Sequence, residues 1–166
     1  MIRAEAPSPT TLTIVLESEG DTDRLGQSLA AAVRPGVVVG LVGELGTGKT
    51  RLARALAEAL GVDPLAIASP TFVLIQEYEG RSMPITHFDT YRLDDADAFD
   101  ALGAADYWEA GDGLCLVEWA DRVRDRLPPS TWWVELVATG PETRVAFLQL
   151  PPADAAAILE RINPLS

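Results

Sequence analysis

Cysteine, histidine and lysine are almost missing from these 166 residues: one Cys, one His and, among thirteen basic side chains, one Lys. A lone cysteine, Cys115, makes no internal disulfide and no cysteine-based zinc site, and with His87 as the single imidazole most other zinc sites are excluded as well. This usage fits a reducing compartment. Long apolar runs are absent too. The longest, Val37 to Val42, is far short of the roughly 18 residues of a membrane helix. Near the N-terminus only Leu12 to Leu16 resembles a signal core, and Glu17 and Glu19 follow it at once. A cytoplasmic protein with no membrane segment is expected. Positive charge is scarce: 13 basic against 25 acidic residues give a net charge of −12, which opposes broad contact with phosphate backbones. DNA binding is therefore not expected, and any contact with nucleic acid would run mainly through partners.

What is present is an ordinary globular composition, 48% hydrophobic and 23% charged. A chain of this length buries roughly 70% of its unfolded surface, enough for one core without staples, so residues 1–166 read as a single domain. The alternation at Leu12, Ile14 and Leu16 predicts a half-buried strand, after which Asp21 could cap a helix carrying Leu25, Leu29 and Val33 up to Pro35-Gly36. Val37 to Val42 is continuously apolar, the mark of a strand covered on both faces. A glycine-rich loop follows, then a helix with Leu52, Leu56 and Leu60 on one stripe, closed by Gly61. Thr71 to Tyr78 and Pro84 to Asp89 read as a hairpin, Leu93 to Ala110 as one or two short acidic helices broken at Gly103 and Gly111, and Leu114 to Val117 as a second buried strand. Two further strands, Trp132 to Val137 and Val145 to Leu150, precede a last helix from about Ala153 to Ile162. The expected fold class is α/β, with a central, largely parallel sheet, antiparallel hairpin additions and flanking helices; with Gly43 to Thr50 spelling G-x-x-x-x-G-K-T between strand and helix, it reads as a single-domain P-loop NTPase fold.

Gly43-Glu44-Leu45-Gly46-Thr47-Gly48-Lys49-Thr50 matches G-x-x-x-x-G-K-[ST], the phosphate-binding P-loop. Its glycines allow a turn whose backbone N–H groups point inward at the start of the following helix, forming an anion nest. Lys49 adds a compact charge for β- and γ-phosphates, and the Thr50 hydroxyl is a ligand for Mg²⁺. In a chain that uses arginine at every other basic position, lysine stands where a P-loop needs it. ATP and Mg²⁺ are the cofactors this predicts.

Glu118 ends a buried apolar strand, the place of a Walker B-type carboxylate at the Mg²⁺ shell, and Asp89 ends another. Each also has a plainer reading, Glu118 as a solvated strand-end charge and Asp89 as a cap for the next segment. For His87 a hydrogen-bonded structural role is favoured over catalysis, and Cys115 reads as inert packing. Trp119 either lines the nucleotide site or packs in the core or an interface. Arg122, Arg124 and Arg126 read as a solvated face with local ion pairs.

Four motifs taken in order, GELGTGKT at Gly43, SPTF at Ser69, HFDTYRL at His87 and LVEWADR at Leu116, resemble the TsaE family of small P-loop ATPases in bacterial tRNA threonylcarbamoyladenosine biosynthesis. The resemblance spans about Val37 to Arg126, and none of the motifs departs in a way that predicts an inactive member. It implies that Lys49 and Thr50 bind phosphate and magnesium and that Glu118 holds Mg²⁺ or positions water. It further implies that Thr71 lies in a switch-like loop near the γ-phosphate, that Asp89, Tyr91 and Arg92 belong to a second signature at the site, and that Trp119 lies beside the nucleotide. The catalytic set so implied is Glu118, Asp89 and Thr71. The implied partner is a TsaB–TsaD assembly, with ATP hydrolysis supporting its repeated turnover.

Rival readings differ in what they require. A GTPase needs a guanine-recognising lysine, and Lys49 is already committed. A small-molecule kinase needs an arginine-bearing lid, yet Leu93 to Ala110 holds no basic residue. A nucleotide-gated interaction module would bind partners according to its nucleotide, with incidental hydrolysis.

Overall fold

The half-covered and fully covered strands that these patterns call for both occur in a computed structural model, which describes residues 2–67 and 73–164. Its strands are β1 (Arg3–Ser8), β2 (Thr11–Leu16), β3 (Val38–Val42), β4 (Ile75–Glu79), β5 (Pro84–Asp89), β6 (Leu114–Glu118), β7 (Trp132–Ala138) and β8 (Arg144–Gln149). The helices are α1 (Glu19–Ala30), α2 (Lys49–Ala59), α3 (Ala96–Ala101), α4 (Ala104–Ala110) and α5 (Pro152–Ile162). One eight-stranded sheet runs in the order β1-β2-β8-β7-β3-β6-β5-β4. Its centre, β7-β3-β6-β5, is parallel, and antiparallel strands extend it on both sides. The expected α/β architecture is present, a parallel centre with antiparallel additions.

Helices α1, α2 and α5 cover one face, where Leu25, Leu29, Leu52, Leu56 and Ile158 are wholly buried against Val39, Leu41, Leu116 and Val134. Each such aliphatic side chain contributes about 1.5–3 kcal/mol by burial. Gly26 lets α1 and α2 close up: a Cβ there would stand 2.7 Å from Ala55 Cβ. On the other face, α3, α4 and the 3₁₀ segment Ala120–Arg126 cover Phe88, Val38, Cys115 and Val117. Phe88 meets Phe99 and Tyr107 edge to face there. Cys115 is buried, and burial pushes its thiol pKa up to about 12, so it packs inertly as expected.

Several boundaries differ from the sequence reading. Ser18, not Asp21, caps α1: its hydroxyl accepts the Asp21 N–H at 3.2 Å, while the Asp21 carboxylate accepts the Glu17 N–H at 3.0 Å. This reciprocal pair starts the helix at Glu19, and such caps stabilise by about 1 kcal/mol. The helix ends at Ala30, short of Val33. Strand β1 was not anticipated, because its RAEAPS sequence is polar and carries Pro7; as an edge strand with an irregular register it tolerates both. The strand expected from Thr71 begins at Ile75; Thr71 and Phe72 lie outside the described residues. The acidic segment forms two short helices that part at Gly103 and stop at Gly111. Among the described residues no helix is long and apolar enough to cross a membrane.

Candidate active site

Parallel strands share one direction, so β3, β6 and β5 deliver the residues after Val42, Glu118 and Asp89 to the same edge of the sheet. Glu118 is central there, in register with Leu41 on one side and Asp89 on the other. Gly43 leaves β3 with φ of 147° and passes so near β7 that a Cβ would meet Leu136 O at 2.4 Å; only glycine turns the chain at this point. The loop then enters α2 at Lys49 through Gly48, whose φ is 102°.

Lys49 folds back over the loop. Its Nζ donates to Gly43 O at 2.7 Å and Glu44 O at 2.8 Å, and lies 4.0 Å from the centre of the Trp119 ring. Burial lowers its pKa, opposed by the charges of Glu118, Asp121 and Asp89. The next residue points to β6: Thr50 Oγ1 donates to Glu118 Oε1 at 2.7 Å. The second Glu118 oxygen, Oε2, is 2.6 Å from His87 Nε2 on β5. Glu118 is 1% exposed and His87 6%, so this carboxylate is held from both sides in a dry site. Burial alone would raise the Glu118 pKa, but the His87 contact, the Thr50 hydroxyl and the Lys49 charge together lower it below the usual carboxylate value. Glu118 stays ionised.

Trp119 follows in the left-handed region, with φ of 58°, alone among the non-glycine residues described. That turn sets its ring over Lys49 and against Tyr91, with ring centres 4.7 Å apart. Of the expected residues, Lys49, Thr50, Glu118 and Trp119 are therefore brought together with Gly43 to Gly48. Asp89 is adjacent but turned to its own chain: Oδ1 accepts the Tyr91 N–H at 3.0 Å, and burial raises its pKa. Thr71 lies outside the described residues.

Two groups belong to the site that sequence reasoning did not put there. His87 is hydrogen-bonded, as expected, but its partner is the central carboxylate. Arg144, at the start of β8, donates to Thr47 O at 3.1 Å and Gly46 O at 3.3 Å in the loop. For His87 the signal was its place two residues before Asp89 on an apolar strand; for Arg144 no local motif exists. The run Arg122, Arg124, Arg126 lies on a solvated face as expected, with Arg122 and Arg124 exposed, but its partners are distant in sequence and not local. Arg122 donates to the carbonyls of Thr90, Tyr91 and Leu93, Arg124 lies over the Trp133 ring, and Arg126 bridges to Asp97 and Asp100 of α3.

Chemically, the site sets one ammonium over a glycine-rich turn at the start of a helix, with a hydroxyl–carboxylate pair beside it. The pair offers two hard oxygen donors, a set that suits Mg²⁺ completed by phosphate and water oxygens. Among the described residues no group of three or more His, Cys, Asp or Glu side chains forms a dedicated metal cage.

Comparison with known proteins gives a consistent family. Residues 16–146 match the model of the family described as TsaE, threonylcarbamoyl adenosine biosynthesis protein. The chain is 36% identical over 124 residues to the tRNA threonylcarbamoyladenosine biosynthesis protein TsaE of Bacillus subtilis, covering 75% of this chain and 76% of that one. It is 40% identical over 110 residues to the Aquifex aeolicus protein of the same name, covering 66% and 77%. The Treponema pallidum protein is 38% identical over 122 residues, covering 74% and 88%. In three dimensions the chain is similar to the crystal structure of Bacillus subtilis YdiB, with a TM-score of 0.72 at 28% identity over 98% of this chain and 96% of that one.

Proposed function

The chain belongs to the TsaE family, and from that premise we propose that it is a Mg²⁺-dependent ATPase of tRNA threonylcarbamoyladenosine biosynthesis that acts on a TsaB–TsaD assembly. The observation that carries this reading is the 2.7 Å contact of Thr50 with Glu118 at the mouth of a loop holding Lys49. The loop N–H groups and the Lys49 ammonium bind the phosphates, and the Thr50 hydroxyl and Glu118 carboxylate hold the cation. His87 keeps Glu118 oriented, and Trp119 walls the site. When bound, Mg²⁺ neutralises charge on the transferred phosphoryl group. Thr71, in SPTF, is assigned by the family motif to the γ-phosphate side. The short helices α3 and α4 carry no basic residue, which weighs against a kinase lid.

The test is ATP hydrolysis by the purified protein with Mg²⁺, alone and with TsaB–TsaD from the same source. Slow basal turnover that the pair accelerates is the expected result. Intact ATP binding with turnover indifferent to the pair would overturn the proposed action on that assembly. Glu118→Gln should lower hydrolysis far more than ATP affinity; equal loss of both would instead give Glu118 a folding or metal-binding role.

A further inference from the structure

The side chain of Arg144 spends its donors on backbone carbonyls of two separate segments. Besides Thr47 O and Gly46 O in the phosphate loop, its Nη1 donates to Gly140 O at 3.0 Å, Pro141 O at 3.3 Å and Thr143 O at 2.9 Å in the β7–β8 turn. No carboxylate takes part in this set of contacts. A guanidinium carries five N–H donors in a planar fork, wide enough to meet carbonyls of two segments at once. The turn is itself pinned by the Thr139 N–H to Thr143 O bond of 3.0 Å. One rigid hairpin end thereby grips a loop 97 residues away in sequence.

We infer that Arg144 is a positioning residue for phosphate binding, acting through the peptide planes of the loop. A trans peptide is planar, with its C=O and N–H antiparallel. When Arg144 draws the Thr47 carbonyl outward, the Gly48 N–H of the same plane faces the opposite way, into the loop. On the preceding plane, the Gly46 carbonyl is held by Arg144 while the Thr47 N–H is held by Glu44 O at 3.3 Å. Gly46 and Gly48 both have positive φ and would otherwise leave these planes free to turn. The restraint fixes the donor direction before a phosphate arrives, so binding loses less to ordering. This inference rests on the proposed ATP site and concerns how that site is preorganised.

The experiment measures ATP and ADP affinity, with Mg²⁺, for the wild-type protein, Arg144→Ala and Arg144→Lys, along with thermal midpoints with and without saturating ATP. Loss of charge-assisted bonds of this kind predicts roughly tenfold weaker ATP and ADP binding in Arg144→Ala. Arg144→Lys should recover only part, because an ammonium cannot span both segments. The ATP-induced rise in midpoint should shrink at the same ATP concentration, a change that loss of fold stability alone would not produce. Wild-type affinity in a folded Arg144→Ala or Arg144→Lys protein would overturn the inference. If Arg144→Ala fails to fold by circular dichroism, Arg144→Lys decides in the same way. A wild type that binds no ATP would strike down the parent reading and this inference with it, whereas a binding wild type with unaffected variants removes only the inference.

Discussion

At the scale of single residues, the side chain on which the proposed phosphate site turns is one whose type occurs once in the chain. Lys49 is the sole lysine, buried under Trp119 and bonded to two loop carbonyls. An amine-selective reagent should therefore modify the N-terminal amine faster than Lys49, and Trp119→Ala should speed the Lys49 reaction, both readable by peptide mass mapping. Equal rates at the two amines would contradict the shielded position. Lys49→Ala should cost on the order of 1.5–3 kcal/mol in phosphate contacts and abolish turnover; normal hydrolysis would dismiss the site. Lys49, Thr50 and Glu118 were legible in the sequence because each is marked locally, by glycine spacing or by the end of an apolar run. His87 as partner of Glu118, and Arg144 as partner of the loop, were not. Both bonds join segments 31 and 97 residues apart, and only the strand order brings them together.

At the scale of elements, the turn after β6 sets the site at an energetic cost. Trp119 holds φ of 58°, a region that costs a side-chain-bearing residue about 1 kcal/mol or more. Trp119→Gly should thus be more stable than Trp119→Ala by about 1 kcal/mol in denaturant unfolding, although both lose the ring. The reverse order would show that the backbone there is relaxed. Helices α1 and α2 offer a second case: Gly26→Val should cost about 1–3 kcal/mol by forcing them apart, since Ala55 leaves no room for a Cβ. The periodicity of α1 and α2 was plain, whereas the start of α1 was misplaced. Ser18 and Asp21 are both good caps, and the choice depended on a reciprocal bond to Glu17 that composition does not announce. Strand β1 escaped notice for a different reason: its pairing with β2 is bought by position at the sheet edge, not by side-chain pattern.

At the scale of the whole molecule, net charge of −12 sets the surroundings in which the site works. Screening this self-repulsion should raise the thermal midpoint between about 0.05 and 0.5 M salt. A falling midpoint would mean that ion pairs such as Arg51 with Asp23 and Glu19 outweigh it. The α/β class and the parallel centre could be read from two buried runs, but the extent of antiparallel sheet could not, because it depends on β8 inserting between β2 and β7. That insertion also imposes a schedule on synthesis. β2 has only β1 and β8 as neighbours, so the β1–β2 pair cannot join the rest of the sheet until residues near 144 leave the ribosome. The same residues carry the arginine that grips the glycine-rich loop. A nascent chain thus displays its glycine-rich motif early, yet acquires the braced form of that loop only once β8 has been made.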